Sequence, residues 1–243
     1  VFEALGFDAI ATTSGGVAWS LGYADGEHVP LEEVIHAIRR IARVVSLPVS
    51  VDFEAGYGES PQAVADSVRA VIDAGAAGIN LEDGIRHERL REIDDAAQRI
   101  AAARQAARDA GVPIVVNARI DAWVIGGAAG VAERFDETLR RARAYLAAGA
   151  DCIYPIALAD RDTIARLCAE LDAPINVGVW PGTPDAATLG RLGVARVSTA
   201  TRLAMLALSS AREAAQEWRD SGRFDPPGAG FGYPDLQGLF PES

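Results

Sequence analysis

Four acidic residues stand where strand-like runs end. Asp52 and Glu54 close the second such run in VDFEAGYGE, two positions apart and therefore on one side of an extended chain, and Glu82-Asp83 close the third in NLEDG. Carboxylates brought together in a partly buried site repel one another unless protons or a cation neutralise them. A divalent ion is the simpler neutraliser. An all-oxygen set with no His or Cys cluster suits Mg²⁺, with Mn²⁺ nearly as good. Helix caps or solvated loop positions would account for Asp83, but not for Asp52 and Glu82, which are embedded in strands.

A guanidinium and a hydroxyl-rich loop accompany these acids. Arg119, in Asn117-Ala118-Arg119-Ile120-Asp121, closes another strand-like run and can grip a carboxylate or phosphonate with two parallel hydrogen bonds. A purely structural pairing of Arg119 with Asp121 or Glu82 is compatible with that role. Thr12-Thr13-Ser14-Gly15-Gly16 follows the first strand-like run, and its amides and hydroxyls suit an anionic oxygen, although a plain turn would use the same residues. Trp19, Tyr57, Trp123, Tyr154 and Trp180 fall near strand ends, mostly as packing residues; Tyr57 and Trp180 could close a pocket over a substrate.

Positioning these residues requires strand ends that converge. Short β-branched runs at 7–12, 48–53, 77–82, 113–118, 151–155, 174–179 and 194–198 alternate with helical patterns near 31–45, 61–74, 92–110, 133–148, 160–171, 184–192 and 201–220. Parallel strands joined by crossover helices follow from that alternation. Glycines after the helices at Asp73–Gly78, Ala147–Asp151 and Arg191–Val194 punctuate it. The expected fold is a single TIM (β/α)8 barrel domain over residues 1–243, with a C-terminal helix at 201–220 and an irregular Gly- and Pro-rich tail at 221–243. Only seven strands are visible, and a closed barrel needs eight. Val1 to Gly6 reads as the last turn of a helix with its glycine stop, so the first strand is expected to precede Val1. An open doubly wound sheet would carry a Gly-rich phosphate loop after its first strand, for which Gly15-Gly16 is poor evidence.

Composition removes other classes of function. The net charge of −11 over 243 residues, with basic residues scattered along helices, argues against nucleic acid or an anionic membrane as partner. No apolar run approaches the roughly 18 residues of a membrane span, and a cytoplasmic location is expected. Cys152 and Cys168 form no disulfide framework. The chain contains no lysine, which excludes Schiff-base chemistry on an enzyme amine.

The motifs TTSGGVAWSLGYAD, VDFEAGYG, GINLEDG, NARID and LGVARVS, in this order over roughly residues 1–210, resemble the isocitrate lyase and phosphoenolpyruvate mutase superfamily. That resemblance implies a barrel of the phosphoenolpyruvate/pyruvate-domain type with one more strand upstream. It implies Asp52 as the direct Mg²⁺ ligand, with Glu54 and Glu82 holding the ion through waters, and Asp25 as a catalytic acid-base residue. It implies the amides around Thr13, Ser14 and Gly15 as the substrate carboxylate site and Arg119 as an anion clamp. It further implies a homotetramer that exchanges C-terminal helices, for which the apolar 201–218 segment is suited.

Departures from the family pattern narrow the reaction. Where isocitrate and methylisocitrate lyases carry a Lys-Lys-Cys-Gly or Lys-Arg-Cys-Gly lid, this chain reads GIRHERLRE. The mutase and phosphonopyruvate hydrolase branches use a lid lysine and a strand-end histidine; here the latter position holds Ile156. What remains is a Mg²⁺-dependent C–C lyase acting through an enolate on a 2-oxo or 2-hydroxy acid, oxaloacetate- or isocitrate-like. Asp25 would act on a proton or water, and His87 with Arg86 could supply acid or charge from the lid. A P–C bond enzyme, or a barrel that binds a 2-oxo acid without turnover, are the alternatives.

Overall fold

The computed structural model describes residues 1–86, 88–127, 129–224 and 230–240. Seven strands run parallel in chain order: β1 (Ile10–Ala11), β2 (Val49–Asp52), β3 (Gly78–Glu82), β6 (Val115–Ile120), β7 (Cys152–Pro155), β8 (Asn176–Gly178) and β9 (Arg196–Ser198). The intervening β4 (Gly84–Ile85) and β5 (Arg89–Leu90) form a small antiparallel hairpin above the end of β3. Strands β1, β2, β3, β6 and β7 make one curled sheet; β8 and β9 pair with each other and join β7 through the Ile153–Ile175 bridge. Each expected strand is present in its place, so the architecture is the (β/α) barrel. Among the described residues β1 and β9 do not pair.

Helices α2 (Leu31–Val44), α3 (Pro61–Asp73), α4 (Ile93–Asp109), α6 (Val131–Ala147), α7 (Arg161–Glu170) and α8 (Ala186–Arg191) coat the sheet. Their starts are chemically defined: Ser60 caps α3 with Pro61 in its first turn, while the Asp160 and Asp185 carboxylates accept the Thr163 and Thr188 amides. Gly75, Gly149 and Gly193 stop three of the helices with φ of 102°, 106° and 94°. The core lies between the helices and the outward faces of the strands, where Val64, Val68 and Val71 of α3 meet Val51 and Ile79. Ala96, Ala103, Ala106 and Ala107 let α4 pack closely against its neighbours. Cys152 is buried and Cys168 half-buried, both as free thiols.

Three elements differ from the sequence expectation. The 12–16 loop is shorter than expected, because a helix α1 (Ser14–Leu21) starts inside it. A four-residue α5 (Ala122–Ile125) follows β6. Within the tail, α10 (Tyr233–Gln237) forms, with Pro234 in its first turn and the Asp235 carboxylate taking the Gly232 amide at 2.8 Å. Helix α9 (Arg202–Ser221) matches the expected C-terminal helix but buries none of its residues. No helix of the described residues is long and apolar enough to cross a membrane.

Candidate active site

Strand ends β2, β3 and β6 bring the acids to one mouth. Asp52 is the last residue of β2, fixed by its own N–H donating to Thr12 Oγ1 at 3.0 Å. Its Oδ2 accepts the Ser14 N–H at 3.0 Å and the Ser14 hydroxyl at 3.1 Å, so the first amide of α1 points at the carboxylate. On the other oxygen Asn80 Nδ2 approaches, at 3.5 Å. Asn117 Nδ2 in turn donates to Asn80 Oδ1 at 2.6 Å, making a buried amide relay across β2, β3 and β6.

Glu54 reaches the cluster by a different route from the strand alternation expected of it. β2 ends at Asp52, and Glu54 has a left-handed backbone, φ 48°, that takes it off the strand. A clasp holds its buried side chain: the Glu27 N–H donates to Oε2 at 2.5 Å and the Tyr57 hydroxyl to Oε1 at 2.6 Å. The Tyr57 N–H donates back to Glu27 Oε1 at 2.7 Å. Burial pushes the Glu54 carboxyl up to about 7, aided by the nearby charges of Asp25 and Asp52.

Glu82 ends β3 and is buried, which raises its pKa well above the carboxylate range despite Arg119 Nη1 at 2.6 Å. Arg119 cannot fully offset this. Its Nε and Nη2 are spent on Asp121 at 2.7 and 3.0 Å, and the Glu82 contact is not aligned as a hydrogen bond, leaving Oε2 without a donor. Both structural pairings weighed for Arg119 are therefore present. Asp83 points the other way, accepting the Tyr145 hydroxyl at 2.6 Å, the Asp121 N–H at 2.8 Å and Arg141 Nη1 at 3.0 Å. It belongs to the scaffold under the β4–β5 hairpin, whose base is tied down by Arg141 donating to the Arg91 carbonyl at 2.8 Å. A Cβ at Gly84 would stand 2.6 Å from Asp121 Oδ2, so only glycine lets the hairpin leave β3 there.

Gly15 lies buried in the first turn of α1, where a Cβ would fall 3.3 Å from Asp25 Oδ2 and 2.9 Å from Thr201 Cγ2. Asp25 thus sits over the α1 N-terminus with a buried Oδ1 that has no hydrogen-bond partner among the described residues. Thr13 is the N-cap, its carbonyl taking the Val17 N–H and its methyl packed against Gly16. Of the three residues expected to cradle a carboxylate, Ser14 has its N–H engaged by Asp52. Trp180 stands across the mouth after β8, half-buried, with a buried indole N–H that meets no acceptor among the described residues. His87 lies outside the described residues.

Whether these groups suit a divalent cation turns on charge and unsatisfied oxygens. Asp25, Asp52, Glu54 and Glu82 share one field with Arg119 as the near cation, already committed to Asp121. Among the described residues Asp25 Oδ1 is a buried acceptor with no hydrogen-bond partner, and Glu82 Oε2, although ion-paired with Arg119, accepts no aligned hydrogen bond. Among the described residues no three His, Cys, Asp or Glu side chains converge tightly enough to bind an ion by direct contact alone. The donor set fits a hard ion that takes one carboxylate directly and meets the others through water, the habit of Mg²⁺.

Sequence reasoning missed Asn80, Asn117 and Glu27 as parts of this site, while Asp121 was expected only as a structural partner of Arg119. The amides had a signal: each stands two positions before a site residue, Glu82 or Arg119, in an otherwise apolar strand. Glu27 had none.

Comparison with known proteins places the fold in a class. Residues 1–219 match the family described as phosphoenolpyruvate phosphomutase. A 2,3-dimethylmalate lyase, solved as a member of the phosphoenolpyruvate mutase/isocitrate lyase superfamily, superposes with a TM-score of 0.85 at 26% identity, covering 98% of this chain and 84% of that one. The chain belongs to the phosphoenolpyruvate phosphomutase family within that superfamily of mutases and lyases. An uncharacterised Mycobacterium tuberculosis protein is 36% identical over 219 residues, 90% of this chain and 80% of that protein. The 2-methylisocitrate lyase of Escherichia coli is 34% identical over 190 residues, 74% of this chain but only 61% of the lyase, so the chain spans less than two thirds of that enzyme.

Proposed function

We propose that this enzyme is a Mg²⁺-dependent lyase, with Mn²⁺ as a substitute, acting on a C–C bond of a 2-oxo or 2-hydroxy carboxylic acid. The observation that carries the reading is the convergence of Asp25, Asp52, Glu54 and Glu82 on one mouth, with buried oxygens of Asp25 and Glu82 that accept no hydrogen bond among the described residues. Asp52 would hold the ion directly, with Glu54 and Glu82 reaching it through water. Bound there, the ion would draw electron density from a substrate carbonyl and ease cleavage of the neighbouring bond. Asp25, over the α1 N-terminus, is oriented to take or return a proton. Ser14 and Asn80 fix the direction of the Asp52 carboxylate, and Arg119, locked by Asp121, contributes a stationary positive charge rather than a swinging clamp.

A P–C bond reaction is the second reading, favoured by the family's phosphomutase description. The absence of any lysine and the Ile156 side chain at the position discussed above weigh against it. Incubation with Mg²⁺ and oxaloacetate, a methylisocitrate-like acid or phosphonopyruvate, followed by NMR, separates the two. Turnover of a carbon acid is the expected result; reaction of the phosphonate alone would sink the lyase reading. Asp52→Ala is expected to abolish metal-dependent turnover with the fold intact.

A further inference from the structure

The segment between α1 and α2 carries Asp25 to the mouth, and little holds it there. Tyr23 ties its start to α2, the hydroxyl donating to Glu33 Oε1 at 2.7 Å, and Val29 sinks its end into the core. From Ala24 to His28, among the described residues, every hydrogen bond to the rest of the chain is made by Glu27. Asp25 makes none of its own, although its Oδ1 is buried.

The loop that Glu27 grips is anchored on its other sides. The Ser67 hydroxyl of α3 donates to the Tyr57 carbonyl at 3.0 Å, and the Tyr57 ring packs on Phe53 with centroids 5.1 Å apart. From α4, the buried Arg99 donates to the Gly58 and Glu59 carbonyls, both at 2.7 Å. Tyr57 is therefore the fixed half of the clasp and Glu27 the half that fastens the Asp25 segment to it. Two bonds do this: the Glu27 N–H reaches Glu54, and the Glu27 carboxylate takes the Tyr57 N–H. Removing the side chain leaves the Tyr57 amide without its acceptor and the segment on a single main-chain bond.

We infer that Glu27 is a positioning residue, whose carboxylate sets Asp25 and Glu54 relative to each other across two loops. The inference rests on the proposed function and adds to it a residue at the rim that acts through the acids it holds. Glu27 is exposed, so its contribution to stability is small and its effect on the site can be read separately.

Metal binding is read with Mn²⁺ alone, titrated into the whole chain and followed by electron paramagnetic resonance. Rates are read on whichever acid the NMR comparison shows to react. Glu27→Ala is expected to weaken Mn²⁺ binding about tenfold, because Glu54 loses its fixed direction. It should lower kcat about 100-fold with KM little changed, because Asp25 is misplaced while substrate binding is not. Glu27→Gln, whose amide oxygen can still accept the Tyr57 N–H, should restore both readings. Tyr23→Phe, which frees the same segment at its other tether, should behave as wild type, and all three variants should keep the wild-type melting temperature. Unchanged Mn²⁺ affinity and kcat in Glu27→Ala would overturn the positioning role and leave the lyase reading intact. So would a Glu27→Gln variant as impaired as Glu27→Ala, or a Tyr23→Phe variant with the same losses. A wild-type chain that binds no Mn²⁺ would overturn both.

Discussion

Asp83 and Glu82 are adjacent in sequence and opposite in consequence. The carboxylate of Asp83 is 1% exposed and fully supplied with donors from Tyr145, Arg141 and Asp121, whereas Glu82 keeps an unsatisfied oxygen at the mouth. Losing a buried partner strands the remaining charge, here the Arg141 guanidinium, which keeps Glu137 as its carboxylate partner among the described residues. Asp83→Ala should therefore cost about 3 kcal/mol of stability, read from urea unfolding, and Asp83→Asn distinctly less. Glu82→Gln should do the reverse, sparing or improving stability while turnover falls. Matching losses of stability in Glu82→Gln and Asp83→Ala would show that the division between scaffold and site has been drawn wrongly.

The helices that present the strands carry their own pH dependence. The Asp160 carboxylate takes the Thr163 N–H and hydroxyl at 2.8 and 2.6 Å, and Asp185 serves Thr188 in the same way, so hydrogen bonding holds both below the usual carboxylate range. A lowered folded pKa adds stability that is present above the unfolded value of about 3.9 and disappears as pH falls through the folded value. Asp160→Asn with Asp185→Asn keeps the capping geometry but removes the titration. The double variant is expected to lose less stability than the wild type between about pH 4 and pH 2, measured by urea unfolding at each pH; identical acid profiles would count against it. Element order was legible because hydrophobic period and glycine stops are local signals: every barrel strand and coating helix lies within a few residues of its expected place. α1 was hidden by its small residues, since Ser14, Gly15 and Gly16 read as a loop when the contacts that select them, Asp52, Asp25 and Thr201, come from distant parts of the chain. The Glu54 turn was hidden likewise, because a left-handed glutamate is set by the clasp around it and leaves no mark in the residue types.

At the scale of the molecule, the described barrel is sealed by its helices along most of its circumference and bare beyond β9. α9 exposes Leu203, Met205, Leu206 and Leu208 together, and Val197 of β9 is 43% exposed. Burial of such a stripe is worth about 25 cal/mol per Å² of apolar area, enough to favour association. The tetramer with exchanged C-terminal helices that the family resemblance implies would cover it. Sedimentation should give a particle several times the 25.5 kDa chain, and Leu206→Glu should shift it towards the monomer; a wild-type monomer would refute that assembly.

Glu27, Glu54 and Tyr57 hold left-handed backbones at φ 58°, 48° and 50°, each about 1 kcal/mol or more above what glycine would need. Breeding this protein purely for heat resistance should thus tend to plant glycine at these corners. Such hardy descendants would be poorer catalysts, because a looser corner no longer sets the Glu54 carboxylate beside Asp52.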